Sequence, residues 1–394
     1  MKNVFTTPVA DGITRREGLL TLLGSALALA GCGGGGGVAG LSSGGTGSFS
    51  VGPITGFGSI IVGLIRFEDS TANSVLDIDD DNNDMRGKLK LGMVVRVKGK
   101  PKNGIRADAD SIEVRSELLG PIDSVDTTAK TLLVLGQTVQ VTATTVFEDG
   151  LTGLSALVVG NIVEVHGFVD PLSNRLTATR IERKDPAKVK AFKLQGFVKL
   201  LDATAKTFKI DTLTINFAAS VNTPANLVFA NDMLVRVRLA STQTTGTRTA
   251  LKVHVVKVEV EDRDEAEVEG TITEFTSSSN FKVNGLQVNA SNVSVPAGLK
   301  LGDRVEVEGS LVNGVLVAKK VELEVENDQF KFELHGTVSG LTLTTFVVRG
   351  VTVNYTISVI DGVIEKLKDL ASVEVKGVVS TDGTKVNATR ITFE

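Results

Sequence analysis

The feature that most constrains this chain is a strand pattern that returns five times along it. Each copy opens on a strand carrying a glycine: Gly52 in VGPI, Gly120 in LLGPI, Gly196 in KLQGFV, Gly270 in EVEGTI and Gly336 in ELHGTV. The copies recur about every 70 residues, which makes each of them one small supersecondary unit. A hairpin follows, and in four copies its turn contains glycine: Gly63-Leu64, Leu135-Gly136, Asn284-Gly285 and Arg349-Gly350. Asn-Gly suits a type I′ turn, where both central residues need positive φ, and Gly-Leu suits type II′, where only the first does. The third copy has Asp211-Thr212 there, which leaves its turn type open.

Further along each copy lies a strand of strict alternation ending near glycine: VVRVKG, IVEVHG, RVEVEG and SVEVKG, with RVRLA as the divergent third member. Period two gives one apolar face, whereas a helix would scatter those valines around its circumference. The closing strand shares the form Ala-x-polar-Ile/Val, at Ala109 to Ile112, Ala178 to Ile181, Ala318 to Val321 and Ala388 to Ile391. Between the third and fourth strands runs a less regular connection, long enough for a short helical turn over one barrel end. A meander of three strands, a crossover and a terminal hairpin fit a small five-stranded barrel of the OB type, because closure protects edges that an open sheet exposes. The expected fold class is all-β, with tandem OB-like barrels at 51–116, 117–185, 190–262, 265–327 and 330–394. Charged joints at 182–193, 259–267 and 322–328 mark boundaries between them. A unit of this size buries only about 60% of its unfolded surface, so packing between neighbours is expected to matter.

Ahead of the repeats, residues 13–32 read ITRREGLLTLLGSALALAGC: a basic pair, an apolar run, then small residues. The run is about a dozen residues, short of the ~20 that a helix needs to cross a bilayer, so 1–31 reads as a signal peptide. Leu29, Ala30, Gly31 and Cys32 resemble the bacterial lipobox. That resemblance implies a diacylglycerol on the Cys32 sulfur, cleavage before that residue, and a partnership with a membrane through the lipid. Arg15 and Arg16 resemble a twin-arginine export signal, although Gly18 stands where that motif prefers a bulky apolar residue; general secretion is the alternative. Residues 32–50 hold the cysteine and a Gly/Ser-rich stretch whose composition predicts a flexible tether. The expected location is outside the cytoplasm, with Gly33 after the cysteine resembling outer-membrane sorting in a Gram-negative bacterium.

Composition narrows the chemistry. A formal charge of −4, a single Tyr and no Trp count against nucleic acid as a partner, since such binders need a basic face and stacking rings. One cysteine excludes an internal disulfide and a cysteine-rich metal site. His166 and His335 occupy repeat positions held elsewhere by varied, mostly charged residues, which predicts solvated strand faces; His254 sits where the alternation lapses. Glu164, Glu306 and Glu374 share one repeat position and are expected on the outward faces of three barrels. The acidic run 77–84 places Asp77, Asp79, Asp81 and Asn83 at the alternate spacing that opens an EF-hand loop. Asn82 then replaces the turn glycine and Lys88 the bidentate Glu, so a solvated acidic loop is favoured over a calcium site. No resident cofactor is expected. The common catalytic signatures are absent, and the chain is not expected to be an enzyme.

GPITGFGSIIV, the glycine spacer, the lipobox and the repeated LxxGxxVxVxG pattern together resemble the bacterial DUF5666 family over nearly all of the chain beyond residue 31. The closest correspondence is in Gly52 to Phe67 and Leu89 to Gly99. That family often has Asn-Gly in the first hairpin, where this chain has Gly63-Leu64. The resemblance brings architecture but no established activity, catalytic residue or cofactor. The functional expectation is a non-catalytic envelope lipoprotein, a scaffold or a binder of a protein or glycan partner, with an oligosaccharide- or peptide-binding barrel face as the alternative and an envelope enzyme ranked below both.

Overall fold

The computed structural model describes residues 47–77, 83–102, 105–148, 150–242, 246–256, 260–324, 330–356, 358–362, 364–380 and 383–394. In the second module the strands Leu118–Asp126, Thr131–Val134 and Gln137–Gln140 form the meander, and Ile162–Val169 and Leu176–Lys184 form the terminal hairpin. The third strand runs parallel to the fifth, with Val139 opposite Leu176, and the fourth runs antiparallel to the first, with Val163 opposite Gly120. Those two pairings close the barrel. The other four modules repeat both of them, so all five are closed barrels of the expected OB type. Their opening strands are Ser48–Phe57, Leu118–Asp126, Ala191–Phe197, Arg263–Ser277 and Lys331–Ser339. Residues 48–50, expected to end the tether, therefore already belong to the first barrel, and the fourth begins two residues before its expected boundary.

Alternation decides which side chains fill each barrel. The closing-strand pairs Ala109/Ile112, Ala178/Ile181, Ala318/Val321 and Ala388/Ile391 are all buried, and Ala250/Val253 supplies the same pair in the divergent third module. The glycine after each VxVx sequence marks a bulge, where the register between fourth and fifth strands shifts at Gly99, Gly167, Gly309 and Gly377. The hairpin turns follow their residues. Both members of Leu135-Gly136, Asn284-Gly285 and Arg349-Gly350 have positive φ, whereas at Gly63-Leu64 only the glycine does. In the third module Asp211 takes the positive φ.

The connection between third and fourth strands holds a 3-10 turn in three modules, at Asp69–Thr71, Leu154–Ala156 and Ile364–Lys366. Sequence periodicity did not reveal its other feature, a short sixth strand running parallel to the closing strand. Ser74–Asp77, Val146–Phe147, Val221–Thr223 and Val359–Asp361 play this part. Among the described residues no helix is long and apolar enough to cross a membrane.

The barrels are fused through their opening strands. Ser48–Val51 pairs in parallel with Glu265–Val268, and Gly56 and Phe57 pair with Glu333 and Leu334, which joins the first module to the fourth and the fifth. Leu118 and Leu119 pair antiparallel with Leu194 and Lys193, which joins the second to the third. The cores merge accordingly. Ile54 and Phe67 of the first module share a cluster with Phe332 and Val373 of the fifth, the second and third share another, and Phe49 enters the core of the fourth. Marginal barrels thereby bury apolar surface that none could bury alone.

Candidate functional site

The outer faces of the first and fourth strands are the surfaces through which modules pack, so many of their charged residues are buried in pairs. Glu164 lies between Lys184 Nζ at 2.6 Å and Lys193 Nζ at 3.3 Å, and Lys193 also reaches Asp77 of the first module at 3.3 Å. Burial alone would raise the Glu164 carboxyl, but the two ammonium groups outweigh it and hold it well below the usual carboxylate range. Arg180 binds Glu182 at 2.5 Å and donates to the Leu91 carbonyl at 3.1 Å. In the fourth module Glu306 faces Glu267, and burial together with that neighbouring carboxyl pushes Glu267 up to about 9. Glu267 Oε2 accepts the Leu64 N–H of the first module at 2.7 Å. The glutamates thus point outward from their barrels as the alternation requires, but Glu164 meets a neighbouring module instead of solvent.

The same packing corrects the reading of His166. It is 1% exposed, with Nδ1 2.8 Å from the Arg115 carbonyl oxygen, and burial lowers its pKa. His254 is half-buried opposite Arg236 in the third module. His335 is also half-buried, with Nε2 2.6 Å from Glu333 and Nδ1 2.5 Å from Glu394. Glu333, His335 and Glu374 offer ligand atoms within 4.8 Å of one another, a spacing that could hold a cation. Two cations of the chain are already there: Arg66 Nη2 lies 2.5 Å from Glu333, and Lys376 Nζ 3.1 Å from Glu374. The cluster is therefore an ion-pair contact that ties the first module to the fifth.

Of the acidic run, Asp77 is buried on Lys193, while Asn83 is exposed and pairs opposite Asp77 in a short hairpin. Asp79 and Asp81 lie outside the described residues, as do Arg15, Arg16, Leu29, Ala30, Gly31 and Cys32. Where the first four modules meet, a cavity of about 60 Å³ contains Arg96, Arg115, Arg236 and Glu117. Burial and the neighbouring Arg115 push Arg96 down to about 10, and Arg236 donates to Gln195 Oε1 at 2.7 Å. That space admits a few waters and little more.

A much larger groove, of about 580 Å³, opens where the first, second and fifth modules meet. Its size falls within the range of about 300–1,000 Å³ typical of small-molecule sites. One wall is the outer face of the second and third strands of the fifth module, Thr345–Val348 and Val351–Asn354. Alternation sends Phe346, Val348, Val351 and Val353 into that core and leaves Thr345, Thr352 and Asn354 facing out. The second module supplies Val146 and Phe147, held by a bond from the Phe147 N–H to the Gly383 carbonyl at 2.9 Å. The first module contributes Lys90 and Leu91, and Lys385 stands at the margin. Neither lysine forms an ion pair, and no carboxylate lines the groove among the described residues. Sequence reading missed these residues because they come from three modules and only the packing gathers them.

The family model described as "Domain of unknown function (DUF5666)" matches residues 120–182, 269–322 and 335–392, which are the second, fourth and fifth modules from beside their opening glycine to the closing strand. No curated protein matches the chain. Among solved structures, drosophila Unr CSD456 is similar over 51% of this chain and 96% of that one, at 11% identity and a TM-score of 0.14, a likeness too slight to carry an argument.

Proposed function

This chain belongs to the DUF5666 family through its second, fourth and fifth modules, and from that premise we propose that it is a non-catalytic envelope lipoprotein whose fused barrels present a saccharide-binding groove. The observation that carries the reading is the groove itself: about 580 Å³, walled by the strand 2–3 face that OB barrels use for oligosaccharides and oligonucleotides. Its described lining holds no histidine, cysteine or carboxylate to accept a proton or attack a substrate, which supports binding over catalysis. Leu29-Ala30-Gly31-Cys32, and the apolar run before it, support a lipid anchor at Cys32, and Gly33 supports the outer membrane as its destination.

Two measurements test the two halves. Fractionation of cells expressing the full chain should find it with membranes, whereas Cys32→Ser should release it or leave it unprocessed; equal membrane retention overturns the anchor. Thermal unfolding of the detergent-solubilised chain with a panel of envelope oligosaccharides should show stabilisation by at least one. A ligand at 100 times its Kd adds about 2.7 kcal/mol, a readable shift. Thr352→Trp, which fills the groove from an exposed position, should remove that shift, and a shift that survives it would place the ligand elsewhere.

A further inference from the structure

We infer that the ligand of this groove is an anionic saccharide, a hydroxylated chain carrying carboxylate or phosphate groups. The inference rests on the saccharide-binding reading and adds the charge. Lys90 reaches from the first module to the Arg349-Gly350 turn of the fifth, its Nζ 3.8 Å from the position a Cβ would take on Gly350. Lys385 is exposed beyond the closing bulge of the fifth module. The third cation of the lining, Arg180, is already neutralised by Glu182 at 2.5 Å. Two unpaired ammonium groups thus stand in a groove whose described residues bring no counter-charge.

Between those charges the wall is hydroxylated. Thr344 and Thr352 are exposed, and their hydroxyls are not engaged in a hydrogen bond among the described residues. Asn354 and Thr356 are less available, since Thr356 donates to Asn354 Oδ1 at 3.0 Å and Asn354 Nδ2 donates to Asn387 at 3.2 Å. A flat exposed ring would add stacking on the apolar face of a neutral sugar, and the described lining offers none. Phe147 is 4% exposed, and Tyr355, close by, packs its ring on Phe346 at 5.5 Å and donates its hydroxyl to the Thr342 carbonyl. With no ring to stack on, the strongest contacts this lining offers are charge-assisted hydrogen bonds from Lys90 and Lys385, with threonine hydroxyls reading the ligand's hydroxyl groups. A lone inorganic anion would leave most of the groove empty.

The test titrates the detergent-solubilised full chain with oligogalacturonate, with a neutral malto-oligosaccharide of equal length, with inorganic phosphate and with a single-stranded DNA oligomer. Oligogalacturonate should bind best and weaken with salt. Lys90→Gln and Lys385→Gln should each weaken it about tenfold, a factor equivalent to ~1.4 kcal/mol. Equal binding of the neutral chain, untouched by either variant, overturns the inference and leaves the saccharide reading standing. Phosphate alone binding as tightly as oligogalacturonate makes this a simple anion site, and tighter binding of the DNA oligomer assigns it to nucleic acid; either overturns the inference. Failure of both saccharides to bind overturns the inference and the underlying reading together.

Discussion

Glu267 illustrates how one residue can make this assembly sensitive to pH. Its carboxyl is pushed from 4.5 up to about 9 by burial and by the facing Glu306, and it contacts the Leu64 N–H of another module. The folded protein therefore holds a proton that the unfolded chain releases near 4.5. By linkage, its contribution to stability is complete in acid and is lost as pH rises through the folded value. The urea midpoint of the chain should fall between about pH 5 and pH 9, and Glu267→Gln, which keeps the shape without the titration, should flatten that slope. An unchanged slope in the variant would remove Glu267 from the account. Nothing in EVEG distinguishes this glutamate from a solvated one, because its burial depends on the hairpin of a module far away in sequence.

At the scale of strands, the bulge between the fourth and fifth explains a glycine that recurs in four modules. A Cβ on Gly167 would lie 2.1 Å from the Thr177 carbonyl oxygen, and the equivalents Gly309 and Gly377 meet the same obstacle at 2.1 and 2.2 Å. The obstacle is backbone, so Gly167→Ala should destabilise the chain by about 1–3 kcal/mol, as overpacked sites do, read from its urea unfolding curve. A cost near zero would mean that the bulge adjusts freely. This glycine, the alternating valines and the Ala-x-polar-Ile closing strand were all legible, because a barrel interior is written locally with period two. What lies against the outside of a strand is not. Periodicity separates the inside of a barrel from the outside, but Glu164, His166 and Lys193 face outward into other modules, and the sequence of one module contains no trace of its neighbour's surface. The groove escaped for the same reason, since Lys90, Phe147 and Thr352 are united only by the way three barrels meet.

For the whole molecule, merged cores set how it should come apart. The first and fifth modules share one apolar cluster, and the second and third share another. Ending the chain after Glu324 should therefore strip cover from Ile54, Phe67 and their neighbours, with amides of the first module losing protection from hydrogen exchange while the second and third retain theirs. Unchanged protection in the first module would show that each barrel stands alone. The chain enters the first barrel from its N-terminal side through the strand Ser48–Phe57. Tension arriving from that side enters at Ser48, on a strand bonded along one edge to Val94–Gly99 and Glu333–Leu334 and along the other to Glu265–Val268 and Ile61–Val62. Hydrogen bonds in a sheet stand across the strands, so a pull along the strand loads many of them in shear at once instead of peeling them one by one. If Cys32 carries the proposed lipid and the groove its proposed saccharide, the first barrel is the mechanical clamp between the two.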